Sequence, residues 1–282
     1  MKYSYRVIIL FLLFISTDLY SQFSYNSDHD KKFRFRGKPT IDLSYGVSDI
    51  TLSGFDPKIA NTGMIELRLG YSSLQKTKYA SNILKYDNGF LLLSNSSYDL
   101  TGNPGSDEIK STMWKFGFGK REGYGIKFGS FSMELFNSNS FVWSEFVYDT
   151  LTTQNNIDYS PLNEFNDAFR FGSATEGGIN FQFTPGFSIQ PKYEISDIYP
   201  RHLFFKQSVS TLIELTGLVL LDTFIKQIMK SSPVPGTIVN FILKNAFEYG
   251  MYELRKSDVD WPYSGASPIR YATFKIGTTY TF

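Results

Sequence analysis

The chain of 282 residues contains no cysteine and only two histidines. The first absence excludes disulfides, thiolate metal sites, iron–sulfur clusters and cysteine nucleophiles. The second leaves little for imidazole chemistry. Charge of one sign is also missing: 28 Lys and Arg stand against 27 Asp and Glu, so there is no electrostatic basis for a nucleic-acid partner. The longest apolar run, Val7 to Ile15, is too short for a membrane-spanning helix, which needs roughly 20 residues. What the chain has in abundance is rings, 17% of all residues, within a mean hydropathy of −0.19. A polar average with so many rings implies that apolar and polar residues are interleaved.

Met1 to Gln22 opens with Lys2 and Arg6, continues through Val7 to Ile15, and turns polar at Ser16, Thr17 and Asp18. This is the three-part layout of a secretory signal peptide. Cleavage after Ser21 leaves Gln22 as the new terminus, although Leu19 is larger than the residue usual at that position. Loss of Lys2, Arg6 and Asp18 makes the mature chain formally neutral, so no general attraction to a membrane surface is expected. Gln22 to Lys38 is polar and mixed in charge, with His29 between Asp28 and Asp30, and reads as a flexible lead-in.

Beyond it, residues alternate with period two, as strands with one apolar and one polar face do. Ile41, Leu43, Tyr45 and Val47 enclose Asp42, Ser44 and Gly46; Ile65, Leu67, Leu69 and Tyr71 enclose Glu66, Arg68 and Gly70. Trp114, Phe116 and Phe118 alternate with Lys115, Gly117 and Gly119, and Tyr124, Ile126 and Phe128 with Gly125 and Lys127. Ile179 to Phe183 and Phe187 to Ile195 repeat the pattern around Gln182, Gln190, Lys192 and Glu194. Arg121-Glu122-Gly123 and Thr184-Pro185-Gly186 read as tight hairpin links. Weaker strands are Phe90 to Tyr98, Phe131 to Phe136, Phe141 to Tyr148 and Phe165 to Gly172, for a total of eight to ten.

From Lys206 to Lys256 the period becomes helical, interrupted by Pro233-Val234-Pro235-Gly236. Glu214, Asp222, Lys226 and Lys230 form a polar stripe on the first helix, with Asp222 and Lys226 as an i,i+4 pair. On the second helix Val239, Leu243, Phe247, Gly250, Met251 and Leu254 line one face, and Asn240, Lys244 and Glu248 another. Gly217 and Gly250 are candidate points of close approach. No stretch here reaches 18 residues without a charge, which argues against a membrane span and for burial of the apolar faces.

The last strand, Tyr271 to Phe282, alternates Phe274, Ile276, Thr278 and Tyr280 with Lys275, Gly277 and Thr279, and ends on a ring. An exported, cysteine-free chain of alternating strands with an aromatic last residue resembles the outer-membrane β-barrel proteins of Gram-negative bacteria. The resemblance implies a mainly β fold, an antiparallel up-and-down β-barrel over 39–282 with the helical hairpin 206–256 inserted before the last strand. It also implies outer-membrane lipid around the wall and a barrel-assembly machinery that reads the strand ending at Phe282, whereas the helical insert has no counterpart in a simple barrel. Strands of a barrel face apolar outward and polar inward, so Asp42, Glu66, Arg68, Lys115, Lys127, Lys192, Glu194 and Lys275 are expected in the lumen. Tyr45, Tyr71, Tyr124 and Tyr280 are expected in interfacial girdles. At this strand number side chains fill the interior, so an open pore is not expected. The hairpin is expected outside the wall at the extracellular mouth, burying Leu212, Leu218, Val219, Phe241 and Phe247 against the rim, the outer leaflet or a protein partner. The long links Ser72 to Asn88 and Asp149 to Glu164 are then expected at the opposite, periplasmic end.

Two alternatives remain at this point. One is a soluble periplasmic binding protein whose sheet wraps its apolar face around the hairpin, since alternation alone does not separate the two. The other is a lipid-modifying hydrolase using His202, with Ser208, Ser210 and Glu214 nearby. No nucleophile motif surrounds His202. His29 lacks the ligand spacing of a metal site, and Gly117 to Gly129 lacks the ending of a phosphate loop. Trp143 and Trp261-Pro262-Tyr263 suit interfacial anchoring. No cofactor or metal is expected.

Overall fold

The computed structural model describes residues 37–101, 105, 107–151, 157–201 and 204–282. The expected signal peptide, nearly all of the lead-in with His29, and His202 lie outside these residues. Among those described, eight strands form one closed antiparallel barrel. They are β1 (Lys38–Leu52), β2 (Thr62–Lys76), β3 (Ile83–Ser97), β4 (Ser111–Phe128), β5 (Phe131–Tyr148), β6 (Phe169–Thr184), β7 (Phe187–Ile198) and β8 (Ile269–Thr281). Neighbours in sequence are neighbours in space, and β8 closes on β1 with Ile41 opposite Tyr280 and Val47 opposite Phe274. A single helical turn, α1 (Ser160–Asn163), lies in the β5–β6 link. Two long helices, α2 (Phe204–Ser231) and α3 (Pro233–Leu254), are inserted between β7 and β8.

Arg121-Glu122-Gly123 is not a turn. β4 runs straight through it, and the chain reverses at Gly129-Ser130, where Gly129 takes a φ of 62° that favours glycine. The charged triplet is accommodated because Arg121 faces the lumen and Glu122 faces outward into ion pairs with Lys120 and Lys244. The segments Phe131 to Phe136 and Phe141 to Tyr148 are one strand, joined through Asn137-Ser138-Asn139. β6 begins at Phe169, because Phe165 belongs to an apolar cap.

These corrections move one of the expected links: Asp149 to Glu164 lies at the end opposite Thr184-Pro185-Gly186, whereas Ser72 to Asn88 keeps its expected place beside that turn. Residues 77–82, 129–130 and 185–186 make short turns at one end, together with the start of β1 and the end of β8. Residues 53–61, 98–110, 149–168 and 199–268 make long links at the other. The link expected over Ser72 to Asn88 is short because β2 and β3 extend into it. The link containing Asp149 to Glu164 shares its end with the entry and exit of the helices.

Even-numbered residues of β1, β2, β3, β5, β6 and β7 and odd-numbered residues of β4 and β8 face inward and are largely buried. At the long-link end the interior is closed by apolar residues, Ile50, Met113, Phe146, Ile198 and Tyr271 from the strands and Ile59, Ile109, Leu162 and Phe165 from the links. The sheet therefore closes on its own inner face and does not wrap around the hairpin. The hairpin packs on the outside of the wall. It does not stay at the mouth: near its tip Ile225 and Met229 pack on Ile83 and Ile126, beside the short turns. At the other end the Tyr252 carbonyl accepts a hydrogen bond from Arg270 at the start of β8 (2.6 Å). At 1.5 Å per residue α3 spans about 33 Å, so it runs the height of the wall.

Candidate functional site, a polar seam beneath the hairpin

The lumen is filled by charge. Arg68 donates in parallel to Glu176 (2.9 and 2.7 Å), a two-point geometry that holds both groups, and its Nε lies 2.8 Å from Glu66. Lys275 reaches Glu66, Glu176 and Glu194 at 3.0, 2.7 and 2.6 Å. Lys115 pairs with Glu194 (2.6 Å), Lys192 with Asp42 (3.2 Å), and Arg121 with Glu176 (3.1 Å) and the Gln190 side chain (2.7 Å). Arg68 and Arg121 also lie over the rings of Phe90 and Phe136, each 4.5 Å from the centroid. Carboxylate oxygens of Glu66, Glu176 and Glu194 come within 4.8 Å of one another. Arg68 and Lys275 lie among them and supply the counter-charge. Of the residues expected in the lumen, Lys127 alone is exposed, at the end of β4. Arg121 and Glu176 join the others; Arg121 sits in a triplet whose composition is that of a turn, which hides its lumen position in the sequence.

The outer wall has two kinds of surface. Over most of its circumference the outward residues are apolar and exposed, among them Leu43, Leu67, Leu91, Phe116, Tyr193 and Ile276. Over β3 to β6 and at the start of β8 they turn polar: Asp87, Lys120, Glu122, Asn137, Asn139, Ser173, Thr175 and Arg270. The hairpin covers this second surface with its own polar side chains. Lys244 bridges Glu122 of the wall (2.5 Å) and Asp222 of α2 (2.7 Å), so Asp222 does not pair with Lys226. Glu248, 1% exposed, accepts from Asn137 (3.0 Å), Asn139 (2.7 Å) and the Thr175 hydroxyl. Tyr252 donates to Ser173 (3.0 Å). Arg270 grips Asp197 of β7 through two bonds (2.8 and 2.9 Å) and reaches Glu253 of α3 (3.0 Å).

Close approach is set by glycine. A Cβ on Gly177 would lie 2.3 Å from Asn245 Oδ1, and one on Gly217 would lie 2.3 Å from Phe247 Cζ. Gly217 thus brings α2 onto α3 as expected, whereas Gly250 has nothing within 4 Å.

The helices are inverted relative to a water-facing hairpin. On α3 the buried residues are Gly236, Thr237, Asn240, Lys244, Glu248, Met251 and Tyr252, while Val234, Ile238, Ile242 and Leu254 are exposed. Leu212 and Val219, expected to be buried, are 63% and 57% exposed. The segment Phe205–Ser231 has the length and composition of a membrane-crossing helix. A window with few charges meets that test even though no window is free of them.

Of the groups named around His202, Ser210 and Glu214 are both engaged by Arg255 (3.0 and 2.7 Å). Trp143 faces outward and stacks on Phe116 (5.7 Å), beside Phe169 and Phe171. Phe128, Phe183, Phe187 and Phe282 are exposed near the short-turn end. Tyr45, Tyr71 and Tyr280 are exposed on the outer face, but Tyr124 packs beneath the hairpin.

No family model matches this sequence, and no curated protein matches it. Among solved structures it is similar to Neisserial surface protein A (TM-score 0.40, 8% identity, covering 86% of this chain and 97% of that one). It is also similar to Ail, the attachment invasion locus protein of Yersinia pestis (TM-score 0.34, 12% identity, 87% and 99% covered). At these scores the barrel assignment stands on the strand pairing itself.

Proposed function

We propose that the chain is an integral outer-membrane barrel, closed to solutes, whose helical hairpin crosses the bilayer against the outside of the wall, and which serves a structural or surface-interaction role through its long links. The observation that carries this reading is the matching of surfaces: the wall is apolar where it is bare and polar where the hairpin covers it, and the hairpin in turn is apolar on its uncovered side. In hydrocarbon every backbone group must be paired, which a closed barrel and helices both achieve. Aromatic residues near both ends of the wall suit the two interfaces. Among the described residues, buried charged side chains fill the lumen and an apolar cluster closes its long-link end, which favours a surface role over transport. In this orientation the short turns face the periplasm and the long links the exterior.

Extraction of membranes with alkaline carbonate, followed by gels of unheated and heated samples, tests the reading. The protein should remain with the membrane and migrate differently before and after boiling. Release by carbonate together with identical migration would overturn it.

A further inference from the structure

Formal neutrality of the chain conceals a segregation of charge. At the short-turn end six exposed lysines gather: Lys38 opening β1, Lys76 closing β2, Lys78 in the following turn, Lys127 closing β4, and Lys226 and Lys230 at the tip of α2. Contact of Ile225 and Met229 with Ile83 and Ile126 brings the helix tip to the same end as the turns. The acidic groups of the neighbouring outer wall and helix are already held by other cations, Asp87 by Lys85 and Lys120, Glu122 by Lys120 and Lys244, and Asp222 by Lys244, while Glu134 at this end is buried inside the barrel and bonded to Ser132 and Asn180. The links of the opposite end carry both signs with an acidic excess: Lys58 pairs with Glu108 and Arg201 with Glu164, and Asp56, Asp99, Asp149, Asp158 and Asp167 stand against Lys110 and Lys256. Exposed Leu74, Phe128 and Phe224 lie next to the lysines in the same elements, and exposed Tyr280 lies opposite Ile41 on the strand that Lys38 opens. The cations therefore stand just past the edge of the apolar belt, at the level where lipid phosphates lie.

We infer that the short-turn end, including the hairpin tip, is a binding surface for anionic phospholipid headgroups, which fixes the depth of the hairpin and the orientation of the barrel. The inference rests on the membrane reading above. Each lysine near an anionic surface strengthens association by about fivefold. Six lysines on one end should therefore enrich anionic lipid there and leave the acidic end depleted.

The absence of native cysteine permits a direct test. The full chain carrying Ser130→Cys in a short turn, or Ser53→Cys in a long link, is labelled with a donor dye. It is then reconstituted into phosphatidylcholine vesicles containing a small fraction of acceptor-labelled phosphatidylglycerol or, separately, acceptor-labelled phosphatidylcholine. At low salt the Ser130 position should show at least about twofold more acceptor nearby for phosphatidylglycerol than for phosphatidylcholine. The excess should vanish in about 1 M salt, where the screening length is about 3 Å, and should be absent at the Ser53 position. Replacing Lys76, Lys78, Lys226 and Lys230 with Gln should abolish it. If that variant loses its heat-dependent migration, the salt series on the parent decides. Equal transfer from both lipids, an equal excess at Ser53, or an excess insensitive to salt would overturn the inference. Absence of transfer from either lipid, with carbonate release, would instead sink the membrane reading.

Discussion

Replacing Ile242 with Lys separates a lipid-facing helix from a water-facing one. Ile242 is 56% exposed, near the middle of α3, on the side away from the wall. On a surface bathed in water such a change alters stability by no more than about 0.5 kcal/mol. At the centre of a bilayer-crossing helix a lysine costs about 2.5–3.5 kcal/mol, and the lost isoleucine adds about 0.3–0.6 kcal/mol. The expected loss is about 3–4 kcal/mol. With about 15 Å of helix to either end, the ammonium group has no short route to water. Lys244, two residues along, avoids this cost because it points at the wall and lies between Glu122 and Asp222. The loss is read from urea unfolding of the full chain in phosphatidylcholine vesicles, followed by the unheated gel band, with Ile242→Val as a control expected to lose no more than about 0.3 kcal/mol. A loss below about 0.5 kcal/mol for the lysine variant would mean that this face sees water, and the inverted hairpin would have to be explained another way.

Lys275→Met removes the cation shared by Glu66, Glu176 and Glu194 and is expected to cost about 3–5 kcal/mol in the same unfolding assay; an unchanged midpoint would show that the lumen network contributes nothing. Gly177→Val places a side chain where Asn245 now lies and should lift α3 from the wall. Proteolysis within the hairpin should then speed up several-fold while the barrel keeps its heat-dependent migration, and an unaltered cleavage rate would contradict the close approach. Phe282→Asp should reduce the amount of assembled protein more than Thr278→Asp, although the transfer cost of a charge near the interface is only about 0–1 kcal/mol. Equal levels of the two variants would remove the case for Phe282 as an assembly signal.

Alternation makes the wall and much of the lumen legible in the sequence, because inward and outward environments differ sharply and the strand period is two. It fails where both faces are polar. In Arg121-Glu122-Gly123 and Asn137-Ser138-Asn139 the outward residues bond to the hairpin, so the apolar half of the pattern is missing and the strands look like turns. Helical spacing did place Asn240, Lys244 and Glu248 on one face of α3. The rule that apolar faces go inside then buries the wrong side of α3; that rule assumes water outside, which the proposed membrane reading replaces with lipid. One signal was present in the sequence: polar outward positions on consecutive strands and a polar helix stripe are complementary, and each is costly in lipid without the other.

That complementarity makes the wall and the hairpin a single thermodynamic unit. Bare, the wall would present Asp87, Lys120, Glu122 and Arg270 to hydrocarbon, with lysine or arginine costing about 2–4 kcal/mol at mid-depth. Alone, the hairpin would present Lys244 and Glu248, each under a similar penalty. Docked, these groups satisfy one another, and only apolar surface remains outside. The chain order ties this docking to closure of the sheet. β8 follows the hairpin, and its Arg270 binds Asp197 of β7 and Glu253 of α3 while neighbouring residues pair with β1. The strand that closes the barrel is thus also the strand that fastens the helices. Loosening the hairpin is expected to weaken the β1–β8 junction, and in the membrane reading a barrel with the helices deleted would keep its sheet pattern but expose a charged stripe to lipid.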